Sequence, residues 1–317
     1  MDPWTAIKPP RLRPGDTLGL VAPASPALEH SRIEKGVRYL ESRGFRVKPG
    51  RYLQARDGFF AGTDAQRAAD LNAMFRDPAV QGIFCLRGGY GSGRLLPLLD
   101  YTAIRRHPKI FVGFSDLTAL QLGLLRRPGL VTFSGPLVAV EFARRIDPFT
   151  EEHFWRLLTS RSRVGSLPAP AYAHTLVPLQ TGCAEGRLIA GNLALILSLV
   201  GTRHLPDLRR ALLVVEDVGE QLHRLDRMWT QLRLAGLLRQ LAGLVFGSFT
   251  QCPPALPPTA TASLDRIQRE AAHWIPGPVV RGLPYGHLPR RITLPLGLAA
   301  RLDTRRGRLE ILESAVV

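Results

Sequence analysis

Residues 110–121 read IFVGFSDLTALQ. An apolar run ends at Gly113-Phe114, Ser115 and Asp116 follow, and a stretch that reads as a helix begins directly behind them. A strand that delivers the chain straight into a helix is the repeating unit of a parallel α/β sheet. The stretch therefore decides what to look for on either side. Upstream, residues 80–86 read as a strand, with a helix following Gly93. Before that, Thr63-Asp64-Ala65-Gln66 has capping-box spacing, Ala68, Leu71, Met74 and Phe75 share one face, and Asp77-Pro78 is the stop. Earlier still, residues 17–22 and 45–47 read as short strands. Between them Ile33, Val37 and Leu40 recur at helical spacing before Gly44. Downstream, residues 130–133 supply a fifth strand. Strands separated by helices predict a parallel sheet covered on both faces, with ligands beyond the carboxyl ends of its strands.

From about 161 to 185 the texture changes to SRSRVGSLPAPAYAHTLVPLQTGCAEG, where prolines, glycines and small residues dominate. We read a linker there, between an N-terminal unit (1–160) and a second one (186–317). The second unit has a helix-like run at 192–200, a strand at 211–215, a long helix at 222–239 and a strand at 241–249. A Pro-rich loop, QCPPALPPTATAS, leads to another helix and then to GLPYGHLPRRITLPLG. The tail AARLDTRRGRLEIL alternates like a hairpin.

Composition narrows the function classes. The chain has 317 residues, 45% of them apolar, enough for two ordinary cores. No apolar run approaches the ~20 residues of a membrane helix. The N-terminus has prolines and charges where a signal peptide would be apolar, so a soluble cytoplasmic protein is expected. Three scattered cysteines, Cys85, Cys183 and Cys252, fit free thiols better than a disulfide framework or a Cys-rich zinc site. There is no H-E-x-x-H and no close histidine pair, so neither metal nor cofactor is expected. The net charge of +16 comes from dispersed arginines, whose longest runs are pairs such as Arg126-Arg127 and Arg290-Arg291. That pattern reads as a basic solvated surface rather than a nucleic-acid groove, and it would steer acidic small substrates inward.

A sharp strand-to-helix turn at Ser115 lifts its hydroxyl to the carboxyl edge of the sheet, beside the first helical N–H groups. The pattern matches G-x-S-x-G only in part, because Leu117 stands in the last position. The stretch alone fits a nucleophile and a helix-capping serine equally in geometry. The turn RGGYGSG, 87–93, follows a strand and can serve as an anion cradle, an oxyanion hole or a tight turn. A neighbouring serine elbow favours an oxyanion hole, with the Gly89 and Asp116 amides converging on one oxygen. A serine nucleophile needs an imidazole, and His287 in the Gly/Pro-flanked PYGHLPRR suits that role. Glu216, at the end of the apolar run ALLVVE, is the candidate to orient it; a salt bridge to Arg224 or Arg227 is the plainer alternative.

Together these stretches resemble the serine-type LD-carboxypeptidases, the murein tetrapeptide carboxypeptidase family with its microcin-immunity relatives. The matching pieces are FFAGTDAQRAADLNAMF, CLRGGYGSGRLLPLLDY, PKIFVGFSDLTALQL, AGNLALILSLVGT, VVEDVGEQLHRLDRMWTQLRLAG and GLPYGHLPRRITLPLG, in order from about Arg13 to Gly297. The resemblance implies a nucleophile at Ser115, an acid at Glu216, a base at His287 and an oxyanion hole at Gly89 and Asp116. It implies a flavodoxin-like N-terminal parallel sheet, a smaller β-rich α+β C-terminal domain, and a homodimer acting on a murein peptide. Arg87, Tyr90, Arg290 and Arg291 are candidates to bind substrate. His223 is another, standing where the family usually has tyrosine. A microcin-immunity-like amidase acting on a peptidyl-nucleotide is the nearest alternative, and a non-catalytic nucleotide-binding protein a more distant one.

Overall fold

The computed structural model describes residues 6–168, 176–253 and 263–317. Most of the Pro-rich loop at 251–263 and the centre of the 161–185 stretch lie outside them. Five strands run parallel: β1 (Thr17–Val21), β2 (Arg46–Pro49), β3 (Gly82–Cys85), β4 (Ile110–Gly113) and β5 (Thr132–Ser134). Their spatial order, 2-1-3-4-5, is the flavodoxin-like winding, whose ligand crevice lies at the β1/β3 switch point. Helices α1 (His30–Ser42), α2 (Asp64–Arg76), α3 (Tyr101–Arg106), α4 (Thr118–Arg126) and α5 (Pro148–Thr159) complete this part. Thr63 and Gln66 form the reciprocal capping box at the start of α2. Gly19 in β1 lets that helix sit close, since a Cβ there would meet the Met74 sulfur at 2.6 Å.

The stretch after Gly93 is a 3-10 turn, Ser92–Leu98, containing Pro97, before α3 begins. Proline removes a backbone donor, so a full α-helix does not run through. Helix α5 went unread in the sequence, although Asp147 caps it and Pro148 opens it.

Among the described residues the second sheet has eight strands in the order β6-β14-β13-β8-β9-β10-β11-β7. They are β6 (Gly165–Ser166), β7 (Val177–Gln180), β8 (Cys183–Asn192), β9 (Ala211–Val218), β10 (Gly243–Thr250), β11 (Val279–Arg281), β13 (Ala299–Asp303) and β14 (Arg308–Ile311). Strands β8 to β11 are parallel, and β13 and β14 form the antiparallel hairpin that the alternating tail predicts. Strands β6 and β7 come from the stretch read as a linker. Helices α6 (Leu193–Ser198), α7 (Leu222–Leu234) and α8 (Leu264–His273) connect the parallel strands. Helix α7 stops short of the expected residue 239, ahead of Gly236 at φ +71°.

Strand β12 (Leu294–Leu296) crosses over. It pairs antiparallel with β5 and so adds a sixth strand to the first sheet. The segment from β11 to β12 therefore leaves one sheet and enters the other, with His287 in between. A second stitch joins the halves just behind Ser115. Gly191 in β8 has no room for a Cβ, which would meet Thr118 Cγ2 at 2.3 Å, and the Asn192 amide donates to Thr118 Oγ1 at 3.1 Å.

Candidate active site

Ser115 sits at the carboxyl end of β4 with φ +62°, one of three non-glycine residues at positive φ among the described residues. Such a conformation costs about 1–3 kcal/mol and persists only where its surroundings impose it. They do so here. Phe114 is fully extended, a 3-10 turn covers Ser115–Leu117, and α4 starts at once. Gly113 permits the sharpness, because a Cβ there would meet Leu117 Cβ at 2.7 Å. Leu117 thus fills the space that a glycine leaves open in the G-x-S-x-G pattern.

The His287 Nε2 lies 3.1 Å from Ser115 Oγ, and its Nδ1 lies 2.6 Å from Glu216 Oε2. With the proton on Nδ1 donated to the carboxylate, the Nε2 lone pair faces the hydroxyl. That is the arrangement general-base activation of a serine requires. Glu216 is wholly buried near the end of β9, and among the described residues its Oε1 has no hydrogen-bond partner. Its charge therefore rests on the imidazole rather than on the arginines Arg224 or Arg227; Arg224 instead lies 3.8 Å from Glu220. Gly286, at φ +143°, lets the histidine loop come close to the ends of β9 and β10. A Cβ there would lie 3.1 Å from Ser248 Cβ and 3.2 Å from Glu216 Cβ. The imidazole stacks at an angle on Phe114, centroids 4.8 Å apart, and the Arg291 guanidinium lies over the same ring at 4.1 Å.

Beside Glu216, burial pushes the Asp217 carboxyl up to about 6, although Asn192 Nδ2 and the Ala194 and Val218 amides all donate to it. It lies in the same junction as the Thr118–Asn192 stitch.

The 87–91 turn borders the serine. Gly88 comes closest, since a Cβ there would lie 3.0 Å from Ser115 Cβ and 3.2 Å from its Oγ. Gly89, at φ +111°, packs against Ser25 instead, where a Cβ would meet Oγ at 2.4 Å. The turn is pinned from three sides. Ser25 Oγ accepts from the Tyr90 amide at 3.1 Å. The Ser92 amide and hydroxyl donate to the Asp116 carboxylate and carbonyl at 2.8 and 2.6 Å. Arg67, fully buried on α2, donates to the Gly91 and Pro23 carbonyls at 3.0 and 2.6 Å. Gly88, Ser92, Arg67 and Gly286 were not read from the sequence. Their roles are long-range contacts, and only the glycines carry any local mark.

One cavity borders the histidine loop and another the 87–91 turn. The first, about 600 Å³, includes His287 and Arg291 in its wall. The other, about 540 Å³, is lined by Ser25, Leu28, Phe59, Arg87 and Tyr90 among others. Burial and the nearby Arg32 lower the Arg87 pKa, and Tyr90 is 59% exposed. Arg291 is buried and ion-paired to Glu141 at 2.8 Å, while Arg290 donates to Asp147 at 2.8 Å. His223 is exposed in the first turn of α7, and among the described residues no hydrogen bond, ion pair or ring contact joins it to Ser115, Glu216 or His287. Also among the described residues, no three His, Cys, Asp or Glu side chains group as metal ligands would, and no helix is long and apolar enough to cross a membrane.

Residues 18–135 match the LD-carboxypeptidase N-terminal domain and residues 185–302 the LD-carboxypeptidase C-terminal domain. The chain is 35% identical over 313 residues to a probable murein peptide carboxypeptidase of Bacillus subtilis, covering 98% of this chain and 95% of the other. It is 36% identical over 299 residues to the murein tetrapeptide carboxypeptidase of Pseudomonas aeruginosa, covering 92% and 94%. Among solved structures it resembles the microcin self-immunity protein MccF in complex with aspartyl sulfamoyl adenosine. That match has a TM-score of 0.90 at 26% identity and covers 98% of this chain and 100% of that one.

Proposed function

The chain belongs to the LD-carboxypeptidase family, and on that premise we propose that it removes the terminal D-alanine from a murein tetrapeptide. The bond cut joins the L-centre of a diamino acid, usually meso-diaminopimelate, to D-alanine. The observation that carries this reading is the Ser115–His287–Glu216 chain of contacts at 3.1 and 2.6 Å, with Ser115 held at φ +62°.

In the mechanism, His287 Nε2 takes the Ser115 proton as Oγ attacks the scissile carbonyl carbon. The oxyanion rests on backbone amides, those of Asp116 and the 87–91 turn, with Gly89 the family-implied donor and Gly88 the nearer neighbour of the hydroxyl. Collapse breaks the C–N bond, and the imidazolium gives its proton to the leaving D-alanine nitrogen. Water then attacks the acyl-serine ester as its proton passes to His287; the imidazolium returns that proton to Ser115 Oγ as the ester C–O bond breaks, which frees the peptide acid and restores both side chains. Glu216 holds the imidazole in the required tautomer and stabilises its cation. Residues 1–160 carry the nucleophile, 186–317 its base and acid, and 161–185 join them. The setting that fits is a cytoplasmic homodimer recycling cell-wall peptides.

Each step is served by side chains and amides, so activity should persist in EDTA; loss that zinc restores would overturn that statement. The main test is mass spectrometry on a defined murein tetrapeptide. Loss of one alanine, abolished in Ser115→Ala, supports the proposal. The likeness to MccF holding a sulfamoyl adenosine favours a second reading, cleavage of a peptidyl-nucleotide. Turnover of a peptidyl-adenylate analogue with the tetrapeptide left intact would select it. Ligand binding with no turnover of either would leave a binding protein.

A further inference from the structure

The loop between β5 and α5 faces the histidine loop across the 600 Å³ cavity. The charges on its wall do not balance. Arg291 is paired with Glu141 and Arg290 with Asp147, which accounts for both acids. Arg144 and Arg145 also line the cavity, are exposed, and among the described residues form no ion pair. Two guanidinium groups without anionic partners therefore stand in the same wall as the His287 imidazole. Such a wall favours an anionic ligand, and a planar guanidinium suits a carboxylate in particular.

The direction of the chemistry says which carboxylate. His287 must protonate the leaving nitrogen, so the leaving residue lies on the imidazole side of Ser115. The cavity that contains His287 is on that side, whereas His287 is not in the wall of the Arg87 and Tyr90 cavity. In a carboxypeptidase the leaving residue carries its carboxylate one carbon away from that nitrogen. We propose that Arg144 and Arg145 bind the terminal carboxylate of the substrate and so restrict the enzyme to chain ends. This rests on the hydrolase reading above, and it replaces Arg87, Arg290 and Arg291 as the groups that receive that carboxylate.

The test compares a murein tetrapeptide ending in a free carboxylate with the same peptide ending in an amide. For the wild type, kcat/KM should favour the acid by about 100-fold, the scale of one or two charge-assisted hydrogen bonds. In the double variant Arg144→Gln, Arg145→Gln the preference should fall below about 3-fold, and each single variant should lie between. An unchanged thermal midpoint would show that the variants fold. A preference retained in the double variant overturns the carboxylate site and leaves the hydrolase reading intact. If the wild type cleaves neither peptide, the hydrolase reading falls and calorimetric binding decides the site. Tighter binding of the acid to the Ser115→Ala protein, lost when both arginines are also replaced, supports it. Equal or absent binding of the two peptides overturns it.

Discussion

The turn at Ser115 and the loop at His287 present the two ends of one hydrogen bond, yet they are built by opposite means. The serine turn is local. A strand, a glycine two residues before the hydroxyl and a helix directly after it impose the geometry within about one helical turn of sequence. The histidine loop has almost no regular structure of its own between β11 and β12. It is held by distant partners. The Ser248 amide donates to the Tyr285 carbonyl at 2.8 Å, the Arg291 amide to Thr150 Oγ1 at 2.9 Å, and the Thr293 amide to His153 Nδ1 at 3.1 Å. Tyr285, wholly buried, reaches Ser134 Oγ at 2.8 Å, at the end of β5. The serine is thus set by its own sequence, and the histidine by how the two sheets meet.

The largest effect should come from the local side of this pair. Ser115→Ala should lower kcat by about 10⁵–10⁶-fold and leave the fold unchanged. Ser115→Gly should be equally inactive but more stable than Ser115→Ala by about 1 kcal/mol, because glycine tolerates φ +62° without strain. Equal denaturation midpoints for the two variants would show that the turn stores no strain. Next in size is Glu216→Gln, which keeps the shape but can hold the imidazole in the wrong tautomer. A loss of about 10³–10⁴-fold in kcat is expected, with little change in KM. A loss under tenfold would remove Glu216 from the relay.

The same contrast explains what could be read from the sequence. The front sheet was legible because each strand passes directly into a helix signal, such as the Thr63 capping box or the Ser115 turn. The hairpin at β13 and β14 was legible from its period of two. Strand β8 was not. It starts inside a Pro/Gly-rich stretch, and its pairing with both β9 and β13 is non-local. Nothing in LPLG announces that β12 joins the other sheet, since register across domains leaves no periodic mark. Among site residues, Ser115 and Glu216 lie at or near a strand end and His287 in a marked loop, and the family resemblance supplied the roles proposed for them. Arg67 is one of the dispersed arginines that, as a group, read as a solvated surface, yet its guanidinium is buried and anchors the Gly91 carbonyl. Arginine is rarely fully buried, so its sequence gives the opposite signal.

Gly286 tests the distributed side directly. Alanine there must tolerate φ +143° and contacts near 3.1 Å with Ser248 and 3.2 Å with Glu216. Stability should fall by about 2–3 kcal/mol, and kcat by about 10²-fold as Nε2 leaves the hydroxyl. Gly113→Ala makes the complementary comparison, since its 2.7 Å contact lies with Leu117, inside the serine turn itself. If both variants lose activity but only Gly286→Ala weakens the pairing of β12 with β5 in amide exchange, the two supports are separate. Equal loss of β12 protection in both would merge them.

The effect with the least bearing on turnover tests the anchor of the crossing segment. His153 on α5 is buried, and its Nδ1 accepts the Thr293 amide just before β12, which only an imidazole unprotonated at Nδ1 can do. Burial, with a smaller contribution from Arg156, lowers its pKa to about 3. The ordinary value, about 6.5, applies once the chain unfolds. Because the folded value is depressed, the stabilisation is complete above about pH 6.5 and is lost as the pH falls toward 3. Between pH 7 and 4.5 this one group should remove about 2.5 kcal/mol. His153→Gln, which cannot titrate, should show a stability curve shallower by that amount over the same interval in urea unfolding. Parallel curves would mean that the proton is taken up without breaking the Thr293 contact, and that the histidine loop is held mainly by Thr150, Ser248 and the buried Tyr285.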